Sequence, residues 1–155
     1  MFINTFNIHE ETNTKTIAQQ LSKISKKGDV FGINGNMGSG KTTFIRYFIQ
    51  GISKVNNVPS PSYNIILPYD CNKSKVYHMD AWRLKNYNEA LSLGITEMYD
   101  DSIFLIEWAE KIKTILPNNY LKLSIKNIKN KKVLELEGDE KWKIRLQKLP
   151  NYDKN

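Results

Sequence analysis

Apolar positions follow two rhythms along the chain, one of helix type and one of strand type. From Thr14 to Lys26, residues Ile17, Ala18, Leu21 and Ile24 recur at three- and four-residue steps, which predicts an amphipathic helix closed by Gly28. Asp29–Asn34 (DVFGIN) is a short apolar run of strand length. Thr42–Ser53 returns to the helical period, with Phe44, Ile45, Phe48, Ile49 and Ile52 on one stripe. Phe2–Ile8 alternates loosely and predicts an edge strand. Asn57–Ser62 (NVPSPS) carries two prolines two residues apart and is a loop. Tyr63–Tyr69 and Lys75–Asp80 read as strands joined by an Asp70–Ser74 turn, and Asn86–Tyr99 as a helix interrupted at Gly94. Ser102–Glu107 (SIFLIE) is a strongly apolar strand. Tyr120–Leu146 reads as two or three antiparallel strands, with turns near Asn127–Lys131 and at Gly138.

Helices alternating with apolar strands predict an α/β fold with a central sheet buried on both sides. The expected form is a three-layer domain of the phosphate-loop type, with a mixed central sheet and antiparallel C-terminal strands. At 155 residues, with no Pro/Gly/Ser-rich linker, the chain is expected to form a single domain over residues 1–155, residues 151–155 being a loose tail.

Composition narrows the class. No apolar run approaches the ~20 residues of a membrane-spanning helix, and Met1–Glu11 shows no basic segment leading into an apolar one. A lone cysteine, Cys71, forms no internal bridge, which points to a reducing, cytoplasmic setting. The net charge is +7, carried almost wholly by lysine, since the only arginines are Arg46, Arg83 and Arg145. A basic surface attracts nucleic acid, an acidic partner or nucleotide. It is equally a solvated face, and no nucleic-acid recognition motif accompanies it.

The chemistry begins at Gly35-Asn36-Met37-Gly38-Ser39-Gly40-Lys41-Thr42, a complete G-x-x-x-x-G-K-[ST] pattern between an apolar strand and an amphipathic helix. Glycines let the chain turn its amides inward as an anion cradle, and the N-terminal end of the following helix faces the same anion. Lys41 supplies a point charge for the β- and γ-phosphates, and the Thr42 hydroxyl can ligate Mg²⁺. The pattern lacks the third glycine of a dinucleotide fingerprint. It therefore predicts a nucleoside triphosphate, with Mg²⁺.

Such an ion takes one or two carboxylates besides phosphates and water, and in open α/β sheets ligands gather at the C-terminal ends of the strands. Asp80 and Glu107 end two apolar strands and are the candidates. His78 shares a strand face with Asp80; it is a candidate base, but a histidine so placed more often packs or hydrogen-bonds. Trp82, Trp108 and Tyr63 read as core or sheet-edge aromatics, the lesser alternative being contact with the nucleotide or a partner.

Four blocks in order, GNMGSGKTTF (Gly35–Phe44), VPSPSY (Val58–Tyr63), HMDAWRL (His78–Leu84) and LIEW (Leu105–Trp108), resemble the TsaE (YjeE) family, the bacterial tRNA threonylcarbamoyladenosine biosynthesis ATPases. The resemblance runs from about Thr14 to Trp108. It implies a weak Mg²⁺-dependent ATPase that works with two partner proteins of threonylcarbamoyl transfer and contacts tRNA indirectly if at all. Carried over by residue, Asn36, Met37, Gly38, Ser39, Gly40, Lys41, Thr42 and Thr43 hold ATP, with Thr14 near the base. Thr42 and Glu107 ligate Mg²⁺, Asp80 orients the attacking water, and Lys41 completes the catalytic set. The SPSY loop resembles a switch segment, with Ser62 where the family has threonine. Lys131 and Lys132 stand where the family carries an arginine.

Two other classes remain from the residues alone. A small-molecule kinase clamps the transferred phosphoryl with several arginines from a lid; Arg46 is expected to face outward, only Arg83 lies near the presumed centre, and no lid insertion is present. A nucleotide-dependent binding switch with negligible turnover needs the same cradle. A GTPase is excluded by its missing guanine-reading element, since Asn72-Lys73-Ser74-Lys75 ends in the wrong residue.

Overall fold

The computed structural model describes residues 1–55, 57–61 and 64–153. Seven strands form one mixed sheet: β1 (Phe2–Asn7), β2 (Val30–Gly35), β3 (Ile66–Asp70), β4 (Lys75–Asp80), β5 (Ser102–Glu107), β6 (Leu121–Ile128) and β7 (Lys131–Glu137), in the order β1-β7-β6-β2-β5-β4-β3. β2 runs parallel to both β5 and β6, and β4 runs parallel to β5. β7 pairs antiparallel with β6 and β1, and β3 with β4. The mixed sheet with antiparallel C-terminal strands is as expected, and β1 is an edge strand.

Helices α1 (Glu11–Ile24) and α2 (Lys41–Ile52) cover one face. There Phe44, Ile45, Phe48 and Ile49 of α2 and Ile17, Ala18 and Leu21 of α1 close over Phe31, Ile33, Leu105, Leu123 and Leu134. Short elements cover the other face of β2, β5 and β4. These are α3 (Tyr87–Ser92), α4 (Ile95–Met98) and a run of 3-10 turns over Ala109–Ile115, whose Ala90, Ile95, Ala109 and Ile112 pack with Val30, Phe104 and Ile106. β5 is buried at all six positions because it lies between these two cores.

Several boundaries depart from the sequence reading. α1 ends at Ile24, four residues before Gly28, and its last carbonyls are sealed from outside the helix. Lys73 Nζ, on the β3–β4 turn, donates to Ser22 O, Lys23 O and Ser25 O at 3.0, 2.6 and 2.8 Å. β3 starts at Ile66; Tyr63 lies outside the described residues. Of the two or three strands expected over Tyr120–Leu146 there are two, and the segment ends instead in helix α5 (Glu140–Leu146). Asp139 caps it, its Oδ1 accepting from Trp142 N at 3.0 Å, and Trp142 and Leu146, four apart, are its buried positions. Residues 151–153 form a turn rather than a loose tail: Tyr152 packs on the core and its carbonyl accepts from Asn4 Nδ2 at 2.8 Å.

The 3-10 run after β5 approaches β2 closely because Gly32 has no side chain. A Cβ at Gly32 would stand 2.8 Å from Ala109 Cβ and 3.0 Å from the Tyr120 ring. This approach sets the path of the chain just after Glu107.

Trp142 joins α5 to β2, packing edge-on against Phe31 at 5.4 Å while its Nε1 donates to Asn119 O at 2.7 Å. Trp142→Ala leaves both a cavity and an unpaired carbonyl, so urea unfolding is expected to show a loss of about 3–5 kcal/mol.

Candidate functional site

The C-terminal ends of β2, β4 and β5 meet beside the N-terminus of α2. After Gly35 the chain makes a tight turn and enters α2 through Gly40, whose φ of 108° lies in the left-handed region that glycine adopts without strain. The Phe44 amide already bonds back to Gly40 O at 2.9 Å. The amides of Lys41, Thr42 and Thr43, in the first turn of α2, therefore have no helical partner and are available to an anion.

Lys41 is 5% exposed although charged. Its Nζ donates to Gly35 O at 2.6 Å and Asn36 O at 2.9 Å and lies 4.0 Å from the centre of the Trp108 ring. Burial lowers its pKa from the ordinary lysine value, and the nearby carboxylates of Glu107, Glu110 and Asp80 oppose that shift.

Glu107 is 4% exposed at the end of β5. Its two oxygens are taken separately: Oε1 accepts from Thr42 Oγ1 at 2.7 Å, and Oε2 lies 2.7 Å from His78 Nε2. Parallel pairing of β4 and β5 places Asp80 opposite Glu107. Burial raises the Asp80 pKa; the amide of Trp82, which donates to Oδ1 at 3.0 Å, opposes the rise, and Glu107 adds to it. Trp108 takes φ 57°, a left-handed conformation that is costly for a non-glycine residue. There its ring meets Trp82, with centroids 4.5 Å apart.

Clefts open on both sides of the loop. One, of about 300 Å³, runs from Met37 and Gly38 past Lys41 and Thr42 to Glu107 and Trp108. The other, of about 260 Å³, is bounded by Thr14, Gly38, Gly40, Thr43 and Lys132. Thr14, residues 36–43, Asp80 and Glu107 are thus gathered around one loop. The side chain of Met37 points into solvent, so only its backbone faces the cradle. Of Lys131 and Lys132, the structure brings Lys132 to the loop. Ser62 and Tyr63, and with them the switch-like segment, lie outside the described residues. Arg46 does not face outward: it is half-buried and its Nε donates to Val58 O at 3.3 Å.

Two contacts escaped the sequence reading, the His78–Glu107 bond and the Trp108 ring against Lys41; Lys132 beside Gly40 answers the resemblance, which had pointed to Lys131 and Lys132. Of the two, only the first had a signal, in the strand alternation that puts His78 on the face of Asp80. Thr42 and Glu107 offer adjacent hard oxygens, a donor set suited to Mg²⁺. Among the described residues no group of three or more His, Cys, Asp or Glu side chains is placed to hold a metal. An ion here would therefore draw most of its ligands from phosphate and water.

The model of the family "Threonylcarbamoyl adenosine biosynthesis protein TsaE" matches residues 8–134. The chain belongs to the TsaE family. A TsaE protein of Bacillus subtilis is 37% identical over 114 residues, covering 73% of this chain and 71% of the relative. One from Haemophilus influenzae is 36% identical over 124 residues, covering 79% and 78%, and one from Rickettsia conorii is 34% identical over 128 residues, covering 82% and 73%. All three carry the name tRNA threonylcarbamoyladenosine biosynthesis protein TsaE. The crystal structure of Bacillus subtilis YdiB superposes with a TM-score of 0.81 at 26% identity, covering 99% of this chain and 98% of that one. Among the described residues of this TsaE protein, no helix is long and apolar enough to cross a membrane.

Because burial favours the neutral form of Asp80, the cost to folding is absent below the usual carboxylate pKa and complete above the raised folded one. Asp80→Asn keeps the acceptor for Trp82 and removes that cost. Thermal melts of the nucleotide-free protein are expected to show the variant more stable at neutral pH, with the difference shrinking as pH falls through the carboxylate range.

Proposed function

We propose that this TsaE protein is a weak Mg²⁺-dependent ATPase that supports threonylcarbamoyladenosine formation in tRNA together with two partner proteins of threonylcarbamoyl transfer. The observation that carries the reading is the 2.7 Å contact between Thr42 and Glu107 beside the buried Lys41. It sets two oxygen donors and a cation around the mouth of one amide cradle.

In this reading the amides of residues 36–43 and Lys41 Nζ bind the triphosphate. Thr42 Oγ1 and a Glu107 oxygen hold Mg²⁺, which when bound neutralises charge on the β- and γ-phosphates. Asp80, adjacent to Glu107 in the sheet, orients the attacking water and accepts its proton. The cleft between Thr14 and Lys132 receives the nucleoside side.

The supply of cations supports slow turnover by the protein alone. Arg145 is bound in a bidentate pair with Asp29, at 2.9 and 2.6 Å, and Arg46 is tied to Val58. Among the described arginines only Arg83 lies close enough to Asp80 to influence its charge. A kinase clamp of several arginines is not available from these residues, so stimulation by a partner complex is favoured over independent phosphoryl transfer. The half-buried free thiol of Cys71 suits a reducing, cytoplasmic setting.

Lys41→Ala is expected to weaken ATP binding in calorimetry by about a hundredfold or more, consistent with losing a charge-assisted contact and leaving carbonyls unpaired. Near-native affinity would remove the cradle from the reading. Glu107→Gln is expected to retain ATP binding in EDTA while Mg²⁺-dependent phosphate release falls by ~10²–10³; unchanged release would acquit Glu107. Phosphate release by the wild type should rise when the partner complex is added, and a metabolite phosphorylated without partners would favour a kinase instead.

A further inference from the structure

We propose that His78 is a positioning residue: its Nε2–H holds the Glu107 carboxylate in the orientation that presents Oε1 at Thr42. The proposal rests on the reading of Thr42 and Glu107 as the metal-holding pair.

His78 is fully buried near the end of β4, on the strand face that also carries Val76 and Asp80. Its Nε2 is 2.7 Å from Glu107 Oε2, while its Nδ1, also buried, has no hydrogen-bond partner. The carboxylate can only accept, so the proton between them sits on Nε2. A proton placed on Nδ1 alone would strand a buried donor and set two lone pairs against each other at 2.7 Å.

The ring therefore spends its paired nitrogen on Glu107 and leaves the other unpaired. An aliphatic side chain would fill the same fully buried space, beside Leu105 of the neighbouring strand, without an orphaned nitrogen. What the histidine adds is a direction. A glutamate carboxylate rotates about its last torsion with a broad preference. Here Thr42 holds one oxygen and His78 the other, so the plane is set from both sides, by α2 and by β4. Partners behind a metal-binding carboxylate act in this way, and their removal typically costs 10–100-fold in metal affinity.

The test uses the full chain and two titrations: ADP in EDTA, and Mg²⁺ into ADP-saturated protein, read by tryptophan fluorescence. His78→Phe fills the space without a donor, His78→Gln carries an amide donor near the Nε2 position, and His78→Asn falls short of it. His78→Phe and His78→Asn are expected to weaken Mg²⁺ by about tenfold or more while metal-free ADP affinity stays within about twofold, and His78→Gln to recover to within about threefold of wild type. Should His78→Phe not fold, the Gln and Asn variants carry the comparison. Mg²⁺ affinity within about twofold of wild type in His78→Asn would overturn the proposal. So would a parallel loss of metal-free ADP affinity that His78→Gln does not restore, the mark of a space-filling role. A wild type whose ADP complex ignores Mg²⁺ would instead overturn the underlying metal reading.

Discussion

A carboxylate buried at the end of an apolar strand is the constraint on which the site depends. β5 is covered on both faces along its length, and a carboxylate in such surroundings is unfavourable unless hydrogen bonds replace the water it has lost. Glu107 obtains them from two different elements, the first turn of α2 and the end of β4. Satisfying one buried group thus ties α2 to the neighbouring strands β4 and β5. Substituting either donor disturbs a three-way junction, not an isolated contact.

Lys41 is the counterpart on the other side of the cleft. It is held by two carbonyls and an aromatic face, with three carboxylates nearby. The ring beneath it belongs to Trp108, the residue after Glu107, whose backbone is left-handed. The next residue, Ala109, is the one that packs closely on Gly32. The strained residue therefore links a packing requirement in the lower core to the placement of an aromatic wall at the site. Such strain is maintained only where the surrounding structure over-determines it.

Much of this was legible in the sequence because the strong signals are local. The loop pattern lies between a strand and a helix, and the residues that end β4 and β5 stand out against the apolar runs before them. The gathering of residues 36–43, Asp80 and Glu107 follows from parallel pairing of β2, β5 and β4, whose register aligns those ends, while Thr14 arrives from α1, which shares its core with α2. What escaped depends on tertiary partners. α5 reads as a strand because Trp142, Ile144 and Leu146 alternate with charged residues at a period of two, and only the cap at Asp139 and the buried Trp142–Leu146 pair four apart mark it as a helix. The position of Lys132 beside Gly40 requires β7 to pair with both β6 and β1, a contact between chain ends that no local pattern carries. Arg46 looked solvent-facing by helical period, yet the proline-containing loop folds over it and offers a carbonyl.

The claim that joins these features is that one amide turn and the Thr42–Glu107 pair together hold a magnesium-bound triphosphate. A crystal structure with Mg²⁺ and a non-hydrolysable ATP analogue tests it most directly. The expected density has the β- and γ-phosphates against the amides before α2, and the ion at about 2.1 Å from Thr42 Oγ1 and one Glu107 oxygen. Phosphates bound away from this turn, or an ion with neither Thr42 nor Glu107 among its ligands, would contradict it.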